Sequence, residues 1–314
     1  MIQKSSGALL NEYKGYLFEF LVCKELRNYF LLTPIETVLN ENQFTMLSQQ
    51  ESFVRNNYPS LIKQLPVLAK ETANRIWEYY SDKKVENILL SGKQNTSLTP
   101  EHFSEEDIGI FLKDSGVKKI SLKLAKKGLA TNTKSSGILS ILKRYFDSLQ
   151  LQAQFNDFID IEFEHMSRDL HTIEGIEYRE NFKNWKDNEL PELPGQLNRE
   201  SSERLKLYYQ SLAKKLYELT KEIDVDKLKS GLARLSGFSH PDIVQVTCFY
   251  IDDYLLAGVS VKEELSFEGR FTCKQNKSSV VFQFDRLTVL LRIKPMNLFT
   301  SKAYKVNASI EFAD

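Results

Sequence analysis

Glu105-Glu106-Asp107-Ile108-Gly109-Ile110-Phe111-Leu112-Lys113-Asp114-Ser115-Gly116-Val117-Lys118-Lys119-Ile120-Ser121-Leu122-Lys123-Leu124 is the stretch on which the fold turns. It reads as two alternating strands about a polar turn. In the first strand Ile108, Ile110 and Leu112 share one face, and Asp107, Gly109 and Phe111 share the other. In the second, Ile120, Leu122 and Leu124 oppose Lys119, Ser121, Lys123 and Ala125. Lys113-Asp114-Ser115-Gly116 supplies the turn, ending in a glycine that can take positive φ. Pairing Leu112 with Lys118 sets Asp107 directly across from Lys123, with Cβ atoms about 5 Å apart. For an isolated hairpin, an ion pair on a solvated sheet face is the simpler explanation of that juxtaposition.

The preceding helix, expected from Tyr13 to Phe30, adds a second acid. On a helical wheel Lys14, Lys24, Glu25 and Asn28 cluster on one side. Glu19 falls nearly opposite, among Tyr16, Cys23, Leu26 and Phe30. A carboxylate on the apolar side of a helix is costly unless it is paired, protonated or bound to a metal. A nearby arginine or an edge position reaching water would satisfy it equally.

A helix with Gly15-Tyr16-Leu17-Phe18-Glu19, a strand at Val85-Glu86-Asn87-Ile88-Leu89-Leu90, the hairpin with Asp107 and Ser121-Leu122-Lys123, and a helix starting near Gly137 together resemble the PD-(D/E)XK nuclease superfamily. The resemblance covers roughly residues 10 to 165. It implies an α+β fold with a restriction-endonuclease-like α-β-β-β-α core. It also implies Mg²⁺ (or Mn²⁺) held by Asp107, water positioned or activated by Lys123, and assistance from Glu19. Two departures stand out: Glu105 and Glu106, not proline, precede Asp107, and Ser121 stands where the commonest pattern has an acid. Glu19, Glu106 or Glu162 would have to supply the missing charge. The activity implied is metal-dependent hydrolysis of DNA phosphodiester bonds, of the site-specific restriction type. The alternative is a degenerate relative that keeps the fold and only binds nucleic acid or assembles with partners.

These residue types suit that chemistry. Phosphodiester hydrolysis needs an in-line water, stabilisation of charge on the phosphoryl oxygens and protonation of the leaving oxygen. One or two Mg²⁺ ions, about 4 Å apart when paired, supply most of this. Mg²⁺ takes oxygen ligands and keeps several waters, so few carboxylates suffice. Lys123 could orient or deprotonate the water, or act as a fixed positive charge. Next comes Lys126-Lys127-Gly128-Leu129-Ala130-Thr131-Asn132-Thr133-Lys134-Ser135-Ser136-Gly137, expected as a polar loop gripping phosphates or as a solvated connection. Ser135 or Ser136 is placed to cap a helix over Ile138 to Leu149 that carries Lys143 and Arg144.

Composition sets the outer bounds. The 314 residues carry 42 basic and 42 acidic side chains, so net charge cannot attract a polyanion and a local basic stripe would be needed. Hydrophobic content of 42% and charged content of 27% suit a globular chain with an ample core. No run approaches the roughly 18 apolar residues of a membrane span. Cys23, Cys248 and Cys273 are isolated, and His102, His165, His171 and His240 lack metal-ligand spacing. Met1-Ile2-Gln3-Lys4-Ser5-Ser6-Gly7 has no signal-peptide core, so a reducing cytoplasmic setting is expected.

Three regions are expected: a nuclease-like core with a helical insertion over 1–180, a helical connector over 181–240 and a β-rich region over 241–314. Helices are read at Gln43–Val54, Leu61–Tyr80, Ser201–Ile223 and Val225–Leu235, with a long helical stretch from Ile138 to about His165 in which a break is expected near Gln154. Leu98–His102 and residues 180–205 read as loops. Strands are read at Asp242–Tyr250, Gly258–Phe267, Arg270–Lys274, Val280–Lys294 and Lys302–Phe312. Arg286, Arg292 and Lys294 alternate with Leu287, Val289, Leu291 and Ile293, a pattern that suits a nucleic-acid backbone and, more commonly, the wet face of an antiparallel sheet. Cutting both strands of a duplex would call for two active sites, hence a homodimer. No membrane partner is expected.

Overall fold

The computed structural model describes residues 6–91, 106–114, 116–178, 197–238, 242–263, 267, 269–294, 302 and 304–312. The fold is α+β. The chain forms two compact units, Met1–Ala130 with His240–Leu265, and Thr131–Ser239 with Ser266–Asp314. The boundary expected at 180 lies inside the second unit, and the region expected over 241–314 is divided between the two. Among the described residues no helix is long and apolar enough to cross a membrane.

In the first unit three helices precede the sheet: α1 (Ser6–Tyr29), α2 (Glu41–Asn57) and α3 (Pro59–Tyr80). Asn40 starts α2 with a capping box: its side chain accepts from Gln43 N, and the Gln43 side chain accepts from Asn40 N, both at 2.9 Å. Pro59 opens α3 where no N–H is needed, and the helix runs on through Pro66 because Leu61, Leu65, Leu68, Ala69, Ala73 and Ile76 bury one face. The strands β1 (Val85–Leu90), β2 (Ile108–Leu112), β3 (Gly116–Lys126), β5 (Ile243–Tyr250) and β6 (Leu256–Lys262) form one sheet in the order β1-β2-β3-β5-β6. Only β3 and β5 are parallel, and the chain between them builds most of the second unit.

The facial reading of the hairpin holds. Ile108, Ile110, Leu112, Ile120 and Leu122 are buried in one core with Leu17, Phe18, Val22 and Leu26 of α1 and with α3. The register is a correction. Leu112 pairs with Gly116, not Lys118, and Ile108 with Ile120. Gly116, at φ +76°, closes a tighter turn than the expected pairing required. A two-residue slip keeps every side chain on its face but removes Asp107 from the position opposite Lys123.

The second unit contains β4 (Thr131–Gly137), α4 (Ile141–Phe146), α5 (Leu149–Ile173), α6 (Arg199–Thr220) and α7 (Val225–Ser236). To these it adds β7 (Thr272–Asn276), β8 (Ser279–Gln283), β9 (Leu287–Lys294) and β10 (Lys305–Phe312). Its sheet has the order β4-β10-β9-β8-β7 and is antiparallel throughout. Phe155, Ile159, Phe163 and Met166 of α5 are buried, as their helical spacing predicts.

Several expectations change here. The expected loop after Lys127 is largely strand β4, whose backbone is satisfied by β10. Neither Ser135 nor Ser136 caps a helix, since Ser140 occupies the N-cap of α4. The long helical stretch breaks at Asp147, φ +50°, and not near Gln154, which lies inside α5 as it continues to Ile173. The segment Val280–Lys294 is two strands, β8 and β9, rather than one. Glu105, Ser115, the Leu98–His102 loop and residues 179–196 lie outside the described residues.

Candidate active site at the hairpin

Asp107 sits just before β2, anchored by its own backbone. Its N–H donates to Ile120 O (3.0 Å), and its carbonyl accepts from Ser91 N (2.9 Å). The carboxylate turns toward β3, where Oδ2 accepts from Leu122 N at 2.6 Å. Lys123, next along β3, brings Nζ to 3.8 Å from the same oxygen. The two side chains are 18% and 24% exposed, so little water screens them. The acid–amine pair expected from sequence therefore forms, but diagonally, through the reach of the lysine.

Burial raises the Asp107 carboxyl above its ordinary pKa, and nearby Glu106 pushes the same way. Lys123 and the Leu122 N–H pull against this without cancelling it. A carboxyl that is desolvated, beside an amine and hydrogen-bonded on one oxygen only in part meets its own cost of ionisation. A cation beside it would lower that cost.

The side chains of α1 reach this place. Tyr16 has its hydroxyl pKa raised, first by burial and then by the carboxylates of Glu12, Glu19 and Asp107. Glu19, half-buried, lies over Gly15: a Cβ built there would stand 3.9 Å from Glu19 Oε1. Side chains on a helix lean toward its N-terminus, which carries the Glu19 carboxylate back toward Tyr16. Tyr16 thus feels both acids that the sequence singled out.

The other candidates divide. Glu106 is buried with Oε1 2.8 Å from Lys119 Nζ, so its carboxylate is already matched to a cation. Glu162 belongs to α5 of the second unit and accepts from Ser211 Oγ at 3.1 Å. Ser121 is buried on β3. Lys126 is exposed at the end of β3 and ion-paired to Asp252 at 2.6 Å, which raises its pKa. Lys127 follows in the exposed turn, its N–H donating to Tyr250 O. Lys134 on β4 and Lys143 and Arg144 on α4 are in the second unit.

Two residues of the site were missed. The parallel register aligns Ser121 with Gln245 and Lys123 with Thr247. Both β5 residues are buried, and Gln245 Nε2 donates to Thr247 Oγ1 at 3.3 Å. The alternation of Val244, Val246 and Cys248 against Gln245 and Thr247 was visible in the sequence. Only the register with β3 tells which polar pair stands beside Ser121 and Lys123.

Lys14 also departs from expectation. Placed on the polar side of the helix by the wheel, it is buried, with Nζ 5.5 and 5.7 Å from the ring centres of Tyr250 and Tyr254. Burial lowers its pKa.

Among the described residues no group of three or more His, Cys, Asp and Glu side chains is gathered to hold a metal ion. The oxygen-bearing side chains that register places beside Lys123 and Ser121 are those of Thr247 and Gln245, Asp107 lies against Lys123, and Glu19 is linked to Asp107 only through Tyr16, which feels both acids. The oxygen donors in this set are few, which fits an ion that retains most of its water. No family model, curated protein or solved structure matches this chain.

Proposed function

We propose that the first unit is a metal-dependent deoxyribonuclease site of the PD-(D/E)XK type, acting in the cytoplasm on DNA phosphodiester bonds. The observation that carries this reading is the half-buried Asp107 carboxylate, pushed up in pKa, with Lys123 Nζ 3.8 Å away across the hairpin. The chain order α1, β1, β2, β3 and then a strand parallel to β3 supports it.

In this reading Asp107 and Glu19 hold Mg²⁺ or Mn²⁺, which when bound supplies Lewis-acid stabilisation of phosphoryl charge. Lys123 holds the attacking water by hydrogen bond and places positive charge beside the scissile phosphate. Asp107, fixed by Leu122 N–H, orients Lys123. Gln245 offers a neutral oxygen next to Ser121, where the commonest family pattern has an acid. Tyr16 stands near both acids as a hydrogen-bond donor. Cleavage of both strands would require two copies of the site, so a homodimer belongs to the proposal.

The test uses supercoiled and linear DNA incubated with wild-type protein, Lys123→Ala or Asp107→Ala, in Mg²⁺, Mn²⁺ or EDTA. Cleavage by wild type in either metal, absent in EDTA and lost in both variants, is the expected result. Ser121 favours a second reading, a catalytically degenerate protein that binds DNA. Metal-independent DNA binding by a folded wild type that never cuts would establish that reading instead.

A further inference from the structure

The second unit carries a cationic surface that the hydrolytic site does not use. In β9, Leu287, Val289, Leu291 and Ile293 are buried and Arg292 and Lys294 are exposed. The buried set shares its face with Val280 and Phe282 of β8 and with Val306, Ala308 and Ile310 of β10. The opposite face is polar at the end that holds Arg292 and Lys294, with Leu290 and Val281 further along it. Its register puts Arg292 beside Asn307, Asn307 beside Ser135, and Lys294 directly beside Lys305.

Like charges on adjacent strands cost stability, since their Cβ atoms stand about 5 Å apart. Lys294 and Lys305 form such a pair, and Arg292 lies two residues, about 7 Å, along the same strand. Lys277 is in the turn joining β7 to β8, and Ser278 O of that turn accepts from Ile293 N at 3.0 Å, so Lys277 joins the same end of the sheet. No described residue makes an ion pair with Lys277, Arg292, Lys294 or Lys305. The acids of this face are elsewhere: Glu311 is six residues along β10 from Lys305, about 20 Å away. Asp285 lies in the β8–β9 turn at that far end.

We infer that this end of the sheet binds the sugar-phosphate backbone of duplex nucleic acid. Clustered cations whose repulsion no described residue compensates are matched by a polyanion, not by a neutral partner. The polar neighbours fit that partner. Ser135 Oγ donates to Asn307 Oδ1 at 3.0 Å, which leaves the Asn307 amide nitrogen as the group to donate to phosphate oxygens. A lipid surface would call for apolar side chains beside the cations, and this row has Asn, Ser and Gly at those positions. The chain's net charge of zero makes the local cluster the source of attraction.

The inference requires no cleavage and stands apart from the hydrolytic reading. It is tested by fluorescence anisotropy of a short labelled DNA duplex in EDTA across a salt series. The proteins compared are wild type, the triple variant Arg292→Gln/Lys294→Gln/Lys305→Gln, a control Lys63→Gln/Lys70→Gln/Lys113→Gln, and Lys123→Ala. The patch variant should bind roughly tenfold or more weakly, with the slope of log K against log salt reduced by about 3. Its Tm should equal or exceed that of wild type because a repulsion is removed. The control and Lys123→Ala should still bind. Unchanged affinity and slope in the patch variant would overturn the inference. So would an equal loss in the control, which would assign binding to net charge. A third overturning result is loss of binding to phosphatidylserine vesicles with DNA binding retained, which would assign the face to a membrane. Loss of cutting in Lys123→Ala with duplex binding kept separates this surface from the proposed active site.

Discussion

Replacing Arg27 with methionine should cost about 2–5 kcal/mol, a large share of the roughly 5–15 kcal/mol that keeps a typical domain folded. Arg27 is in the last turn of α1 and only 4% exposed. Nε donates to Thr33 O at 2.5 Å, and Nη1 donates to Asn87 Oδ1 at 3.0 Å and to Ile88 O. One guanidinium thus ties the end of α1 to the following loop and to β1. It has no carboxylate partner among the described residues. Its charge is met by these oxygens and by the negative end of the α1 dipole.

Methionine keeps much of the stem volume and removes the desolvated charge, so neither cavity nor buried cation enters the balance. What remains is the main-chain carbonyls of Thr33 and Ile88 without their donor, while Asn87 Oδ1 still accepts from Ile88 N at 2.9 Å. At about 1–3 kcal/mol for each stranded buried group, and with the more accessible Thr33 O partly rescued by water, the sum reaches the stated range. Arg27→Lys should fall between, because an ammonium cannot reproduce the planar fork that reaches three acceptors. Urea unfolding followed by far-ultraviolet circular dichroism measures the difference. A loss below about 1 kcal/mol for Arg27→Met would refute the reasoning, because it would mean that those carbonyls find other donors at no cost.

Asp107→Asn should stabilise the protein near neutral pH while abolishing the proposed cleavage. The folded-state pKa of Asp107 is raised from its ordinary 3.8, so the folded chain holds that proton more tightly than the unfolded chain does. The wild type therefore loses stability as pH rises through 3.8 toward the folded-state value, whereas the variant has no such charge to bury. Thermal midpoints across pH should show the variant ahead at neutral pH and the gap closing in acid; a wild type more stable at pH 7 would contradict the assignment. Gly231→Ala tests packing in the second unit. Alanine in the interior of α7 should gain about 1 kcal/mol of helix propensity. Its Cβ would stand 2.3 Å from Phe146 Cδ1 and 2.6 Å from Tyr145 O, and a main-chain oxygen cannot swing away. Overpacking of that kind costs about 1–3 kcal/mol, so a net loss in chemical denaturation is expected and a stabilised variant would contradict it.

Much of the first unit was legible along the chain. The span of β1, Val85–Leu90, and the facial parity of β2 and β3 follow from alternation that only a half-buried strand requires. The helices α2, α3, α6 and α7 follow from apolar spacing, while the caps at Asn40 and Asp224 emerge from the structure. Strand β4 was not legible, because Thr131-Asn132-Thr133-Lys134-Ser135-Ser136-Gly137 lacks alternating apolar residues. What holds it is external: the ladder to β10, and Thr133 Oγ1 donating to Leu235 O at 2.7 Å. Lys14 was misplaced for a related reason. The wheel ranks side chains by polarity, while the rings of Tyr250 and Tyr254, more than 230 residues away in the chain, give its ammonium a place inside.

By itself the sequence determined which side chains share a face, because that depends on backbone period and on the cost of exposing isoleucine or burying a charge. It placed Asp107, Ser121 and Lys123 on one side of a hairpin and Glu19 on the enclosed side of a helix. Tertiary structure decided which faces meet. The tight turn at Gly116 moved the pairing by two residues, and parallel pairing with β5 brought Gln245 and Thr247 beside Ser121 and Lys123. The second sheet set Lys294 against Lys305. Periodicity is a local property of the chain, whereas register between distant strands is settled by turn geometry and by the burial of the whole core at once.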